Sequence, residues 1–186
     1  MKKLELVYNK ILEEAIENNS YKLTQKALSK ELKISLSTVN YALKPIKNMG
    51  AIKVNLKNFD VINIKKILYY WASIRNLKKD IIYNIKVDKS IREIENSMPN
   101  SAIFTAYSYY KLKFKDAPAD YSEVYVYADI DEIKERFKEI KGVPNLFVLR
   151  KNINKLTLAN LFVDLWNLKE WYAKEFLQAL EKKLKI

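Results

Sequence analysis

The 186-residue chain contains no cysteine and no histidine. The first absence excludes a disulfide framework and any thiolate metal site. The second removes the side chain used most often as a general base and as a metal ligand. It excludes Ser-His and Cys-His nucleophilic catalysis within this chain. No run of about 18 apolar residues occurs, so no membrane-spanning helix is expected. Glu5, Glu13 and Glu14 interrupt the first apolar pattern, so no signal peptide is expected and a cytoplasmic location follows. Neither an internal repeat nor a low-complexity linker is visible. A further absence is local: no acidic residue occurs between Ile34 and Phe59.

Apolar residues make up 49% of the chain, enough for a packed core in one large domain or two small ones. Net charge is +12. Residues 1–63 hold 11 lysines and 6 acids, and residues 64–100 hold 8 basic residues and 4 acids. The basic excess per residue is therefore greatest in the first hundred positions. Such a balance favours a nucleic-acid partner and carries no information on base preference.

The acid-free stretch lies in a compact succession of motifs. Ala27, Leu28 and Leu32 recur at helical spacing, with Thr24 placed to cap that helix. Lys33-Ile34-Ser35 is a tight turn, and Ser35 is a good N-cap for a second, longer helix. Val39, Leu43, Ile46 and Met49/Gly50 form the buried stripe of that helix. Gly50 is suited to its C-terminus, since glycine takes a left-handed conformation cheaply. Pro45 removes a backbone hydrogen bond to Tyr41 and is expected to kink or loosen the helix after its first two turns. Ala51 to Leu56 alternates, Lys57-Asn58 is a turn, and Phe59, Val61 and Ile64 mark a returning strand. Leu4, Val7, Ile11, Leu12, Ala15 and Ile16 give a preceding helix over residues 3–18.

Helix, turn, helix and hairpin in that order match a winged helix-turn-helix, which lays its second helix in the DNA major groove. Ser37, Thr38, Asn40, Tyr41 and Lys44 are expected to enter or line that groove, with Ser35 at the helix start. Lys26, Lys47, Lys53 and Lys57 are expected on phosphates, with Asn55 and Asn58 beside them on the wing. The plainer alternative is a small helical bundle with a solvated polar face.

Beyond the motif, Ile64 to Asn76 reads as a helix with Ile67, Leu68, Trp71 and Ile74 on its apolar stripe. A strand over 81–87 and a short helix over 91–98 follow. Residues 101–112 read as a helix rich in small residues. Residues 122–129 alternate as a strand, 130–140 as a charged helix, and 145–150 as another strand. The chain closes in two helices from Leu156, with a break near Asn167 and Leu168. The expected division is 1–63, a winged helix-turn-helix; 64–98, a connector; and 99–186, a small α/β domain.

The order of the winged helix, Ser101-Ala102 to Tyr110-Lys111-Leu112, Glu123-Val124-Tyr125-Val126-Tyr127, and the helix Leu158 to Trp166 resembles the AbiEi-like type IV antitoxins. That resemblance implies a DNA-binding autorepressor whose C-terminal domain has a degenerate nucleotidyltransferase fold and opposes a separate toxin. The fold class expected is therefore α+β, a winged helix-turn-helix followed by a nucleotidyltransferase-like domain.

Active nucleotidyltransferases carry a Gly-Ser at a helix start and paired carboxylates alternating on the next strand, which hold divalent metals. Here Asn100-Ser101 stands for the first. Glu123 is followed by Tyr125 where the second acid would fall. Asp129 and Asp131 lie at a strand end, where Asp131 suits a helix N-terminus. No catalysis, metal or cofactor is expected. Tyr107, Tyr109, Tyr110, Tyr121, Tyr125 and Tyr127 suit a core with wet hydroxyls better than a stack for unpaired bases. The partners expected are double-stranded DNA, a second copy of the chain, and a toxin protein if the resemblance extends that far. The rival readings are a protein-interaction module that no longer binds DNA and a nucleotidyltransferase-like enzyme.

Overall fold

Apolar residues three and four apart organise the first part of the chain into α1 (Lys3–Ile16), α2 (Gln25–Leu32), α3 (Leu36–Asn48) and α4 (Ile64–Ile74). The computed structural model describes residues 2–186. It divides into two compact units. One holds residues up to Arg75 with Thr157–Val163 and Leu184–Ile186, and the other holds Asn76–Leu156 and Asp164–Lys183.

In the first unit, α1 buries Val7, Tyr8, Ile11, Leu12 and Ala15. Leu28 of α2 and Val39, Ala42, Leu43 and Ile46 of α3 are buried in the same unit. The Tyr8 hydroxyl donates to the Ala42 carbonyl at 2.9 Å, so a buried phenol keeps a partner. Three short antiparallel strands, β1 (Lys22–Leu23), β2 (Ile52–Val54) and β3 (Phe59–Val61), lie in the order β1-β3-β2. The pair β2–β3 is the expected hairpin, and β1 is a third strand too short to show alternation. Helix α4 buries Ile67, Leu68, Trp71 and Ala72 in this unit. The boundary expected near residue 64 accordingly falls after Arg75.

Pro45 sits inside α3, which continues to Asn48. The helix then closes on Gly50, whose φ is +67°. Gly50 N–H donates to Lys47 O at 2.9 Å and Ala51 N–H to Ile46 O at 2.8 Å, the paired bonds of a Schellman motif.

The second unit is built on a four-stranded sheet of β4 (Ile81–Ile85), β5 (Ile103–Thr105), β6 (Val124–Ala128) and β7 (Leu146–Arg150), ordered β4-β7-β6-β5. β6 and β7 are parallel and joined through α7 (Ile130–Arg136). The other two pairings are antiparallel. Val124, Val126 and Ala128 of β6 belong to a core with Ile94 of α5 (Ile91–Asn96), Ile133, Phe137 and Val148. The alternate residues Tyr125 and Tyr127 reach Glu170 and Asp164 with their hydroxyls at 2.8 and 2.7 Å. Every residue of β6 is buried. Its period-two pattern separates aliphatic from tyrosine faces, both of them buried.

Two further expectations change. Residues 101–112 do not form one helix. Ile103-Phe104-Thr105 pairs with β6, and only then does α6 (Ala106–Phe114) begin. A β-branched–aromatic–β-branched triplet fits a pleated strand better than a helix. Ser101 therefore precedes a strand instead of opening a helix. The charged helix also ends at Arg136, short of Ile140. Phe137 turns extended and is buried in the core, and Ile140 bridges to Lys86. The chain ends in α8 (Leu158–Trp166) and α9 (Ala173–Leu184), with the expected break between them.

Candidate nucleic-acid interface

Helix α2 begins at Thr24, whose hydroxyl accepts from Ala27 N–H at 3.1 Å. It ends at Lys33 in the left-handed conformation, φ 53°. The turn is locked because Ser29 Oγ donates to Ile34 O at 2.6 Å and Ile34 N–H donates to Ser29 O at 3.1 Å. Ser35 then caps α3, its hydroxyl accepting from Thr38 N–H at 3.2 Å. The hydroxyls of Ser37 and Thr38 lie 2.9 and 2.8 Å from the same Ser35 oxygen. Thr38 is thus engaged in the cap and half-buried, while Ser37 is exposed.

The outward face of α3 carries Leu36, Ser37, Asn40, Tyr41 and Lys44, all exposed. Offsets of three and four residues bring them to one side of the helix. They line an open cleft of about 510 Å³ together with Gln25 of α2. Asn40 Nδ2 donates to Gln25 Oε1 at 3.3 Å across that cleft. Lys44 Nζ lies 5.9 Å from the Tyr41 ring centroid, within cation–π range. Lys47 is exposed one turn further on.

A second cleft, of about 240 Å³, separates the starts of α2 and α3 from the wing. Lys26 and Leu36 line one side, and Leu56, Lys57 and Asn58 the other. Leu56, at the wing tip, is 98% exposed. Lys53 and Lys57 are exposed on the same hairpin. Asn55 is exposed and Asn58 half-buried, and their side chains are bonded to one another within the turn. Asn55 Nδ2 donates to Asn58 Oδ1 at 2.8 Å and to Asp60 Oδ2 at 2.7 Å, while Asn55 N–H donates to Asn58 O at 2.8 Å. These bonds fix the shape of the turn and occupy both amide N–H groups of Asn55, which sequence alone aimed at phosphate.

The acids that bracket this surface are themselves engaged. Glu31 binds Lys10 at 2.5 Å, and Asp60 accepts from Asn55. Lys10 also binds Glu14 at 2.8 Å and Glu13 at 3.2 Å. Burial disfavours its charge, but the three carboxylates outweigh that and raise its pKa. No carboxylate occurs along α3, and on the wing Asp60 stands opposite Lys53 but is held by Asn55, so the face stays net positive, which suits a polyanion.

Sequence reasoning missed Gln25, Leu36 and Leu56 on this face. Leu36 is three and seven residues from buried Val39 and Leu43, so periodicity assigns it to the core. At the first helical position nothing covers it, and it is 52% exposed.

In the second unit, Glu123 precedes β6 and accepts from the Tyr172 hydroxyl, and burial pushes its pKa up. Asp129 caps α7 by accepting from Asp131 N–H at 2.9 Å. No described helix is long and apolar enough to cross a membrane.

No curated protein and no solved structure matches the chain. Residues 9–53 match the family model described as winged helix-turn-helix DNA-binding, a span that runs from within α1 through α2 and α3 into β2. The N-terminal part of this chain is a winged helix-turn-helix DNA-binding domain.

Proposed function

We propose that this protein is a sequence-specific DNA-binding transcriptional regulator that reads the major groove with α3 and follows the phosphate backbone with its wing. The observation that carries the reading is the face of α3. Exposed polar and apolar side chains line one open cleft there, lysines flank it, and the nearest acids are bound to partners of their own. Small groups at a helix start can reach base edges, and lysines further along neutralise phosphates.

The finer reading is an antitoxin-like autorepressor, supported by the order of motifs shared with the AbiEi-like antitoxins. It binds as a homodimer, because one module reads few base pairs and paired half-sites supply the rest. The second unit acts as a non-catalytic partner domain.

The test is binding of the purified protein to DNA upstream of its own gene, against random DNA of equal length, across a salt series. Preference for the upstream DNA that persists as salt rises is expected. Equal binding to both that vanishes with salt would reduce the face to general electrostatics.

A further inference from the structure

We propose that Leu36 and Asn40 read an A·T step, Asn40 binding the adenine edge and Leu36 packing on a thymine methyl. This rests on the DNA-binding reading above and names the base pairs that reading leaves open.

The chemistry of the face selects these bases. Guanine is most often read by arginine or lysine on O6 and N7. The four arginines of this chain are Arg75, Arg92, Arg136 and Arg150, none of them in the helix-turn-helix or its wing. Cytosine offers an N4–H donor that a carboxylate accepts, and no carboxylate occurs from Ile34 to Phe59. Lys44 lies in the third turn, against the Tyr41 ring, away from the helix start. The groups left at the start of α3 are the Ser37 hydroxyl, which does not distinguish bases, an amide and an apolar side chain.

Both have the right form. Adenine presents N7 as acceptor and N6–H as donor, which one carboxamide satisfies with its own donor and acceptor. Asn40 Nδ2 uses one N–H on Gln25 Oε1, and that bond fixes the plane of the amide. A second N–H and Oδ1 remain for N7 and N6. Gln25 is thus a positioning residue for Asn40. Leu36 lines the same cleft as Asn40 and Gln25 and is 52% exposed. An exposed leucine on a reading face gains by covering a methyl group, and only thymine carries one in the major groove.

The test uses the full chain. Duplexes are selected from a random pool at increasing salt, and the enriched site is resynthesised with one base altered at a time. Replacing thymine by deoxyuracil removes the C5 methyl, and replacing adenine by 7-deazaadenine removes the N7 acceptor. The parent protein should lose about fourfold in affinity at one deoxyuracil position, the worth of one buried methyl. Leu36→Ala should be indifferent to that change. The parent should lose about fivefold or more at one 7-deazaadenine position, and Asn40→Ala should be indifferent there. Gln25→Ala should weaken adenine discrimination while leaving the deoxyuracil effect intact. Both target side chains are exposed, and unchanged melting of the variants confirms that folding is unaffected.

Failure to bind any DNA at low salt would remove the regulator reading and this inference with it. Tight, selective binding to a site of G·C pairs alone would leave the regulator standing and overturn the inference. So would modified bases that change nothing, or variants as sensitive to them as the parent.

Discussion

Arg75 Nη1 donates to Glu5 Oε2 at 3.0 Å, with both side chains no more than 5% exposed. Trp71 Nε1 donates to the same oxygen at 3.3 Å. The end of α4 is thereby tied to the first turn of α1, which is why α4 belongs with the winged module. A buried charge left without its partner is costly, so Glu5→Ala or Arg75→Ala should each lower stability by about 3–5 kcal/mol. The double change Glu5→Leu with Arg75→Met should recover most of that loss, because apolar groups of similar volume replace the pair without stranding a charge. Urea unfolding of the three variants measures this. Single losses below about 1 kcal/mol would mean the pair behaves like a solvated surface bridge.

Gly50 ends the reading helix in a conformation that a side chain resists. A Cβ there would meet only Lys66 Nζ, at 4.0 Å, so space is not the obstacle. The φ of +67° is. Gly50→Ala should destabilise by about 1 kcal/mol through backbone strain alone. Gly50→Asn should cost less, since asparagine tolerates the left-handed region better. Thermal melting separates the two, and equal melting temperatures for all three proteins would show that the motif relaxes freely.

The winged module was largely legible because its signals are local. Caps at Thr24 and Ser35, the helical stripe and the terminal glycine each act within one turn of chain. The wing was harder to read. Asn55 and Asn58 look like free outward polar groups, yet hydrogen bonds tie their side chains to each other and Asn55 to Asp60, a choice only the folded hairpin decides. Leu36 was hidden by its own periodicity, since helix-end exposure is not encoded in spacing. In the second unit, Ile103-Phe104-Thr105 took a strand because β6 offers it an antiparallel partner. That pairing outweighed the helical pattern of the small residues around it. The helix expected to Ile140 stops at Arg136 because Phe137 is drawn into a core assembled from distant strands.

Lys53 and Lys57 stand exposed on the wing with no carboxylate beside them in sequence. Removing either should weaken binding to all DNA sequences about equally. Each substitution to alanine should also reduce the slope of log affinity against log salt by about 1. Asn40→Ala should instead erode the difference between specific and random DNA and leave the slope almost unchanged. Titrations at several salt concentrations decide this. A loss of preference in the lysine variants would mean that the wing reads sequence, not just charge.

Glu95 and Glu123 should oppose each other in their pH dependence. Glu95 accepts from Tyr121 Oη at 2.5 Å and from Lys111 Nζ at 2.9 Å. Burial works against its charge, but these bonds prevail and its pKa is lowered. A carboxylate lowered on folding contributes stability above its ordinary range, which is lost as pH falls through the folded value. Glu95→Gln should therefore cost about 1–2 kcal/mol at neutral pH, and the difference from the parent should shrink on acidification. Burial raises Glu123 instead, against the opposing bond from the Tyr172 hydroxyl. Its contribution is present below the ordinary carboxylate range and is lost as pH rises through the folded value. Relative to the parent, Glu123→Gln should thus be most favourable at neutral pH and least so in acid. Denaturant unfolding of both variants between acid and neutral pH should give differences of opposite slope. Parallel slopes would mean that the bond from Tyr172, not burial, governs Glu123, and that its carboxyl is held as firmly ionised as that of Glu95.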